Sequence, residues 1–130
     1  MSVDIDLPEV VAEVSTAFAR YQTALADNDV ATLNELFHED PRTIRYGAGE
    51  NLYGYAVIKA FRSTRVATGP SRQSGTVITT FGRDCAVAST LFHRPEWQKK
   101  VGRLMQTWVR FGDRWQIVAA HVSIIEPASA

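Results

Sequence analysis

The sequence predicts an α+β fold in which helices come first and an antiparallel sheet follows. Two observations lead there. Apolar residues in the first half recur at steps of three and four, the period of helices lying on a core. From residue 74 onward they give way to β-branched and aromatic runs, joined in pairs by short loops containing glycine, which is the mark of hairpins. Helices segregated from strands along the chain form an α+β domain rather than alternating units. The 130 residues suffice for one domain with a real core, spanning 1–130.

The first helix is read from "DLPEVVAEVSTAFARYQTALADND", with Pro8 near its start, where a missing amide donor costs nothing. Val10, Val14, Phe18, Tyr21 and Leu25 form its apolar stripe. Asn28 and Asp29 break it and cap a second helix, with Val30, Leu33, Leu36 and Phe37 inward. A short strand around Ile44–Tyr46 then runs into the glycine-rich turn "GAGENLYG" and a third helix, "YAVIKAFRSTR", with Val57, Ile58 and Phe61 on its buried side. The strands "SGTVITTF" and "CAVASTLFH" flank Gly82-Arg83, and "GRLMQTWVRF" and "WQIVAAHVSII" flank Gly112-Asp113. No internal repeat or linker interrupts this order. The tail "EPASA" is expected to be loose.

A two-residue loop at Gly112-Asp113 places Leu104 opposite His121 and fixes the two faces of the last hairpin. Leu104, Gln106, Trp108 and Arg110 then share one face with Trp115, Ile117, Ala119, His121 and Ser123. Met105, Thr107 and Val109 share the other with Val118, Ala120 and Val122. Both faces are largely apolar, yet three short helices cover only one. A homodimer through the uncovered face is expected.

Fourteen basic residues balance fourteen acidic ones. No nucleic-acid or anionic-membrane surface is therefore indicated. The lone cysteine, Cys85, excludes an internal disulfide and reads as a buried, inert thiol. No apolar stretch approaches bilayer length, and the acidic start "MSVDIDLPEV" lacks the basic region of a secretory signal, so a cytoplasmic protein is expected.

Few residues could carry chemistry. Tyr21 sits on the buried stripe, so its hydroxyl needs an internal partner. Arg45 alternates away from Ile44 and Tyr46; it is either a solvated edge residue or a planar fork held ready for a carboxylate. The amides of Gly47-Ala48-Gly49 could cradle an anion or simply permit a turn. Glu50 could hold an amide or pair with an arginine. His121 and Gln106, on one predicted face, would line a pocket together, although a lone histidine on an apolar face is also a common structural residue. His38 and His93 are far from His121 and from each other in sequence, and no spacing implies a metal. There is no G-x-S-x-G elbow and no dinucleotide fingerprint, so neither a serine amidase nor a dinucleotide cofactor is indicated.

"DLPEVVAEV", "DPRTIRYGAGENLYG", "TVITTFGRD" and "MQTWVRFGDRWQIVAAHVS" together resemble the AtzH-like group of the NTF2-like superfamily. The resemblance spans nearly the whole chain, and "RYGAGENLYG" is its most specific segment. It implies a cone of three helices packed on a strongly bent antiparallel sheet. It also implies a cofactor-independent enzyme beside amidases in oxalurate and cyanuric acid catabolism, converting a small anionic carboxylated urea such as 1,3-dicarboxyurea to allophanate. Tyr21 and Arg45 match the group's proposed catalytic pair. Gln106, His121, Tyr46 and Trp108 are expected to line the substrate pocket. A cation near Tyr21 is expected to lower its pKa. Two alternatives stay open at this point: a non-catalytic module for a small carboxylate or an amidase, and a proton-transfer isomerase or cyclase. Several cationic donors in the pocket favour the first reading or the binder; an apolar pocket with one buried acid favours the isomerase.

Overall fold

A computed structural model describes residues 2–67 and 69–126. Of the tail expected to be loose, residues 127–130 lie outside the described residues. Three helices and six strands follow the predicted order, with one strand the sequence did not announce. Helix α1 (Pro8–Asp27) has Pro8 in its first turn and buries Val10, Val14, Phe18, Tyr21 and Ala24. Asn28 ends it in the left-handed region, φ 53°, where a short polar side chain is tolerated. Its amide closes the last turn on Ala24 and Leu25. Asp29 then caps α2 (Val30–Leu36) by accepting from the Thr32 amide at 3.2 Å.

Phe37 forms a parallel bridge with Ile117, and the His38 amide donates to the Ile117 carbonyl at 3.0 Å. The chain therefore enters β1 (Ile44–Tyr46) travelling alongside the last strand. The unannounced strand is β2 (Asn51–Tyr53), which pairs back on β1. With three residues it carries too little alternation to be read from pattern. Helix α3 (Tyr55–Ser63) follows. Then come β3 (Arg72–Phe81), β4 (Cys85–His93), β5 (Val101–Phe111) and β6 (Arg114–Ile125). The sheet order is β2-β1-β6-β5-β4-β3. All neighbours are antiparallel except β1 and β6, whose parallel pairing departs from the expected meander.

Helix α3 is rotated from the predicted orientation. Ile58 is buried and Phe61 half-buried as expected, but Val57 is 48% exposed. Arg62, one turn beyond Ile58, takes the inward place at 5% exposure.

The largest correction lies in β6. Trp108 pairs with Ile117 as the loop predicts, but Thr107 pairs with Ala119, so Val118 is an extra residue. A bulge of this kind flips the parity of every residue beyond it. Ala120 and Val122 turn toward the core, whereas His121 lies opposite Met105 on the outer face. His121 therefore does not share a face with Gln106, and Val122 does not belong to the uncovered face. A second irregularity, between Ser74 and Val77, bends β3 around Gly75 at φ 62°. Cys85 is half-buried and free.

The helices cover the inner face, where Trp108, Phe37, Leu33, Ile58 and Ile117 are fully buried. The outer face keeps Val77 56%, Met105 57% and Leu91 39% exposed, and Met105 and Leu91 line a cleft of about 460 Å³ together with His121 and Arg103. We propose a second copy of the chain as its cover, since apolar groups this exposed on adjacent strands favour association. Wild-type protein should sediment as a dimer, and Met105→Asp, central to this face, should sediment as a monomer with its fold intact. A monomeric wild type at micromolar concentration would refute the pairing.

Candidate active site

Helices α1 and α3, the residues just after α3 and strand β1 bring four polar side chains to one small cavity under the sheet. Tyr21, Arg45, Arg62 and Arg65 line it, with Leu33, Ile58 and Phe61 as its apolar wall. Its free volume is about 10 Å³, room for about one water molecule.

Arg45 reaches the cavity because alternation along β1 turns it inward beside Ala120, its register partner on β6. Its side chain is only 15% exposed, so it is not a solvated edge group. Nη1 donates to Glu50 Oε1 at 2.9 Å, and the guanidinium carbon lies 5.7 Å from the Phe61 ring centre. Gly47 makes this pair possible, since a side chain there would run into the Glu50 carboxylate and come within 2.9 Å of Arg45 Nη1. Gly49 has nothing within 4 Å and enforces no close approach. The Gly47 amide is spent on the Glu50 carbonyl at 2.9 Å, so it closes the strand turn and is not free for an anion.

Arg62 is the most constrained cation. Nη1 donates to Asn34 Oδ1 at 2.9 Å, and its guanidinium carbon sits 4.5 Å from the Phe37 ring centre. Both partners are neutral. Burial, reinforced by the charges of Arg45 and Arg65, pushes its pKa down to about 10, which still leaves it charged at neutral pH. Arg65, just beyond α3, is lowered in the same way, first by burial. Three guanidiniums thus converge while Glu50 is the one carboxylate paired to any of them among the described residues. Burying unbalanced charge is costly, and a site that does so is arranged for an anion.

Tyr21 is 3% exposed, and burial raises its pKa. Arg45, the cation expected from sequence, pulls it the other way together with Arg62 and Arg65, but desolvation outweighs them. The expectation of a lowered pKa is corrected: at neutral pH Tyr21 is a phenol, able to donate a proton or hydrogen bond rather than to serve as a base. Gln106, 1% exposed, approaches the Tyr21 hydroxyl closely enough to favour its ionised form. The Trp108 indole N–H, a donor only, gives its hydrogen to Gln106 Oε1 at 3.1 Å. That bond fixes the amide, leaving Nε2 buried with no partner inside hydrogen-bond range. Neither Gln106 nor Trp108 is among the residues that line the cavity, as both were expected to be; Gln106 stands behind Tyr21, and Trp108 bears on it through Gln106.

Tyr46 and His121 stand elsewhere. Adjacent in the β1–β6 register, they meet edge to face at 6.0 Å on the outer face, and the Tyr46 hydroxyl bonds Tyr53 at 3.0 Å. The strand parity that turns Arg45 and Ala120 inward turns these two outward. His38 stacks on Phe111, and His93 bonds Ser74. Among the described residues no histidine, cysteine and carboxylate group has the proximity to hold a metal, and no helix is long and apolar enough to cross a membrane. Sequence reasoning missed Arg62 and Arg65. Their signal was present: Ile58, Arg62 and Arg65 follow at steps of four and three, one helical face.

A family model described as AtzH-like matches residues 3–128. Among solved structures, a protein of unknown function from Pectobacterium atrosepticum is 54% identical, with a TM-score of 0.91 over 94% of this chain and 95% of that one. A cystatin-like fold protein from Burkholderia xenovorans is 41% identical, with a TM-score of 0.90 over 95% and 98%. An NTF2-like superfamily protein from Salmonella enterica shares 24% identity and a TM-score of 0.70 over 88% and 90%, a likeness of fold alone. No curated protein sequence matches the chain.

Arg62 separates stability from anion binding. Arg62→Met keeps the volume and removes a buried, uncompensated charge, so unfolding stability should stay within about 1 kcal/mol of wild type or rise. Affinity for small dicarboxylates, measured by calorimetry, should fall sharply in the same variant. A destabilised protein with unchanged affinity would assign Arg62 to the core alone.

Proposed function

The chain belongs to the AtzH-like family and has the NTF2-like fold, and we propose that it is a decarboxylating enzyme of nitrogen-compound catabolism. Its substrate in this reading is 1,3-dicarboxyurea or a similar N-carboxylated urea, and its product is allophanate. One observation carries the reading: three arginines converge on a single buried phenol. The isomerase alternative loses ground, because among the described residues no carboxylate lines the cavity and the one nearest it, Glu50, is paired with Arg45.

The chemistry asks little of the protein. Loss of carbon dioxide from an N-carboxylate breaks the bond between carbon and nitrogen and leaves the electron pair on the urea nitrogen and carbonyl oxygen. One proton must then be supplied. Tyr21, held neutral by burial, is the donor, recharged from solvent. Arg45 and Arg62 hold the carboxylate that is retained and stabilise charge as it develops on the urea. A guanidinium bound to the departing carboxylate would oppose its neutralisation. In this reading that end is turned toward the apolar wall of Ile58, Leu33 and Phe61, in a cavity that must widen from about 10 Å³ to take the substrate. The product is itself an amide-bearing anion, a fitting substrate for a neighbouring amidase.

Tyr21→Phe should keep the fold and lose turnover by about 10²-fold or more, the usual weight of a positioned proton donor. Carbon dioxide and product are followed separately, with melting temperature alongside. A folded variant of normal turnover would remove Tyr21 from the mechanism. The same variant reports on pH. Since burial raises the folded pKa above the unfolded value of about 10, the neutral phenol stabilises the fold below that pH, and this is lost as pH rises through the folded pKa. Alkaline unfolding should therefore be shallower in Tyr21→Phe.

Arg45→Ala should cost about 2–5 kcal/mol in binding or transition-state stabilisation, and Arg45→Lys should also bind more weakly because it loses the two-point fork. Near-normal kinetics in Arg45→Ala would place the anchor elsewhere. A wild type that binds dicarboxyurea tightly without releasing carbon dioxide would favour the binding module.

A further inference from the structure

Arg45, read above as the carboxylate anchor, already holds a carboxylate. We propose that Glu50 is a built-in occupant of the anion position at Arg45, displaced when a ligand carboxylate enters, and that it sets how strongly the site takes anions. The proposal rests on the anchor reading.

Three features lead to it. The contact is a single bond, Arg45 Nη1 to Glu50 Oε1 at 2.9 Å, out of the five donors a guanidinium offers. Glu50 also acts electrostatically on Arg65, so its carboxylate lies in the field of two of the three arginines, where an incoming carboxylate would settle. The cavity, at about 10 Å³, admits no carboxylate as it stands, and Glu50 is the carboxylate bonded to one of the arginines that line it.

Glu50 is the group with somewhere to go. Its side chain is 27% exposed, whereas Arg62 is fixed inside the core by Asn34 and Phe37. It comes from a turn whose Ala48 and Gly49 are exposed, with nothing within 4 Å of the position a Gly49 side chain would take. The space that the carboxylate fills is the space a side chain at residue 47 would need. A methyl group there meets the far ends of two flexible side chains rather than backbone, overlapping the Glu50 carboxylate and coming to 2.9 Å of Arg45 Nη1, so Gly47→Ala should fold with Glu50 driven off and Arg45 shifted only slightly. Gly47 has no positive φ that would strain an alanine.

Malonate binding by calorimetry tests this with three variants of the full chain, each checked by melting temperature. Glu50→Gln removes the competitor's charge while keeping its size and an acceptor oxygen, and Gly47→Ala keeps the charge but displaces the competitor. Both should bind malonate about tenfold more tightly than wild type, the scale of a lost charged competitor, and Arg45→Ala should bind it more weakly. Tightening in Glu50→Gln alone would mean that charge matters and occupancy does not, which overturns the proposal. No tightening in either, with Arg45→Ala still impaired, would overturn it and leave the anchor standing. An Arg45→Ala variant that binds malonate like wild type would remove the anchor and this inference with it. A crystal structure with malonate decides independently of the variants: Arg45 should bond malonate with Glu50 released, and an intact Arg45–Glu50 pair beside bound malonate would refute displacement.

Discussion

Strand β6 carries one residue more than its partner β5 needs, and much of the molecule is arranged by that surplus. Below Val118 the strand turns Ile117 and Trp115 inward; above it, parity reverses and Ala120 faces the core instead of Ala119. Ala120 is the register neighbour of Arg45 on the parallel strand β1. A small side chain beside a long one is what lets a guanidinium lie under the sheet. The same reversal expels His121 to the outer face, beside Tyr46 and opposite Met105. One inserted residue thereby separates a cationic interior from an outer face of mixed aromatic and apolar groups.

The interior it creates holds more positive charge than its own carboxylates neutralise. Arg62 illustrates the cost: it is buried, its bonding partners are a neutral amide and a phenyl face, and its proton is loosened by desolvation. A stability-driven core would place a leucine or methionine there. The arrangement makes sense as stored attraction for an anion, with Glu50 offsetting part of it when no ligand carboxylate is present. Tyr21 belongs to the same balance. Desolvation and arginine charge act on it in opposite directions, and desolvation wins, which keeps the phenol protonated among cations. Trp108 contributes by geometry: its donor-only N–H sets the Gln106 amide so that the donor end is the free one.

The sequence alone determined the α+β class, the span of every long element, the stripe of α1 that carries Tyr21, and the inward alternation of Arg45. These follow from local rules: helical period, strand alternation, caps and turn glycines act within a few residues and leave a pattern. What only the tertiary structure decided is where elements meet. The Val118 bulge has no glycine or proline to mark it, so the register past it was unreadable, and with it the sides taken by His121 and Val122. The three-residue β2 is too short to show a period, and α3 exposes Val57 to bring Arg62 inward because Asn34 of α2 and Phe37 at its end receive it. The direction of the Tyr21 shift was equally hidden, since the arginines are visible in sequence but desolvation is set by the depth of the fold around the ring. Local pattern reports which face a side chain takes within its element, whereas charge balance, burial and strand register past a bulge arise from several elements packed together.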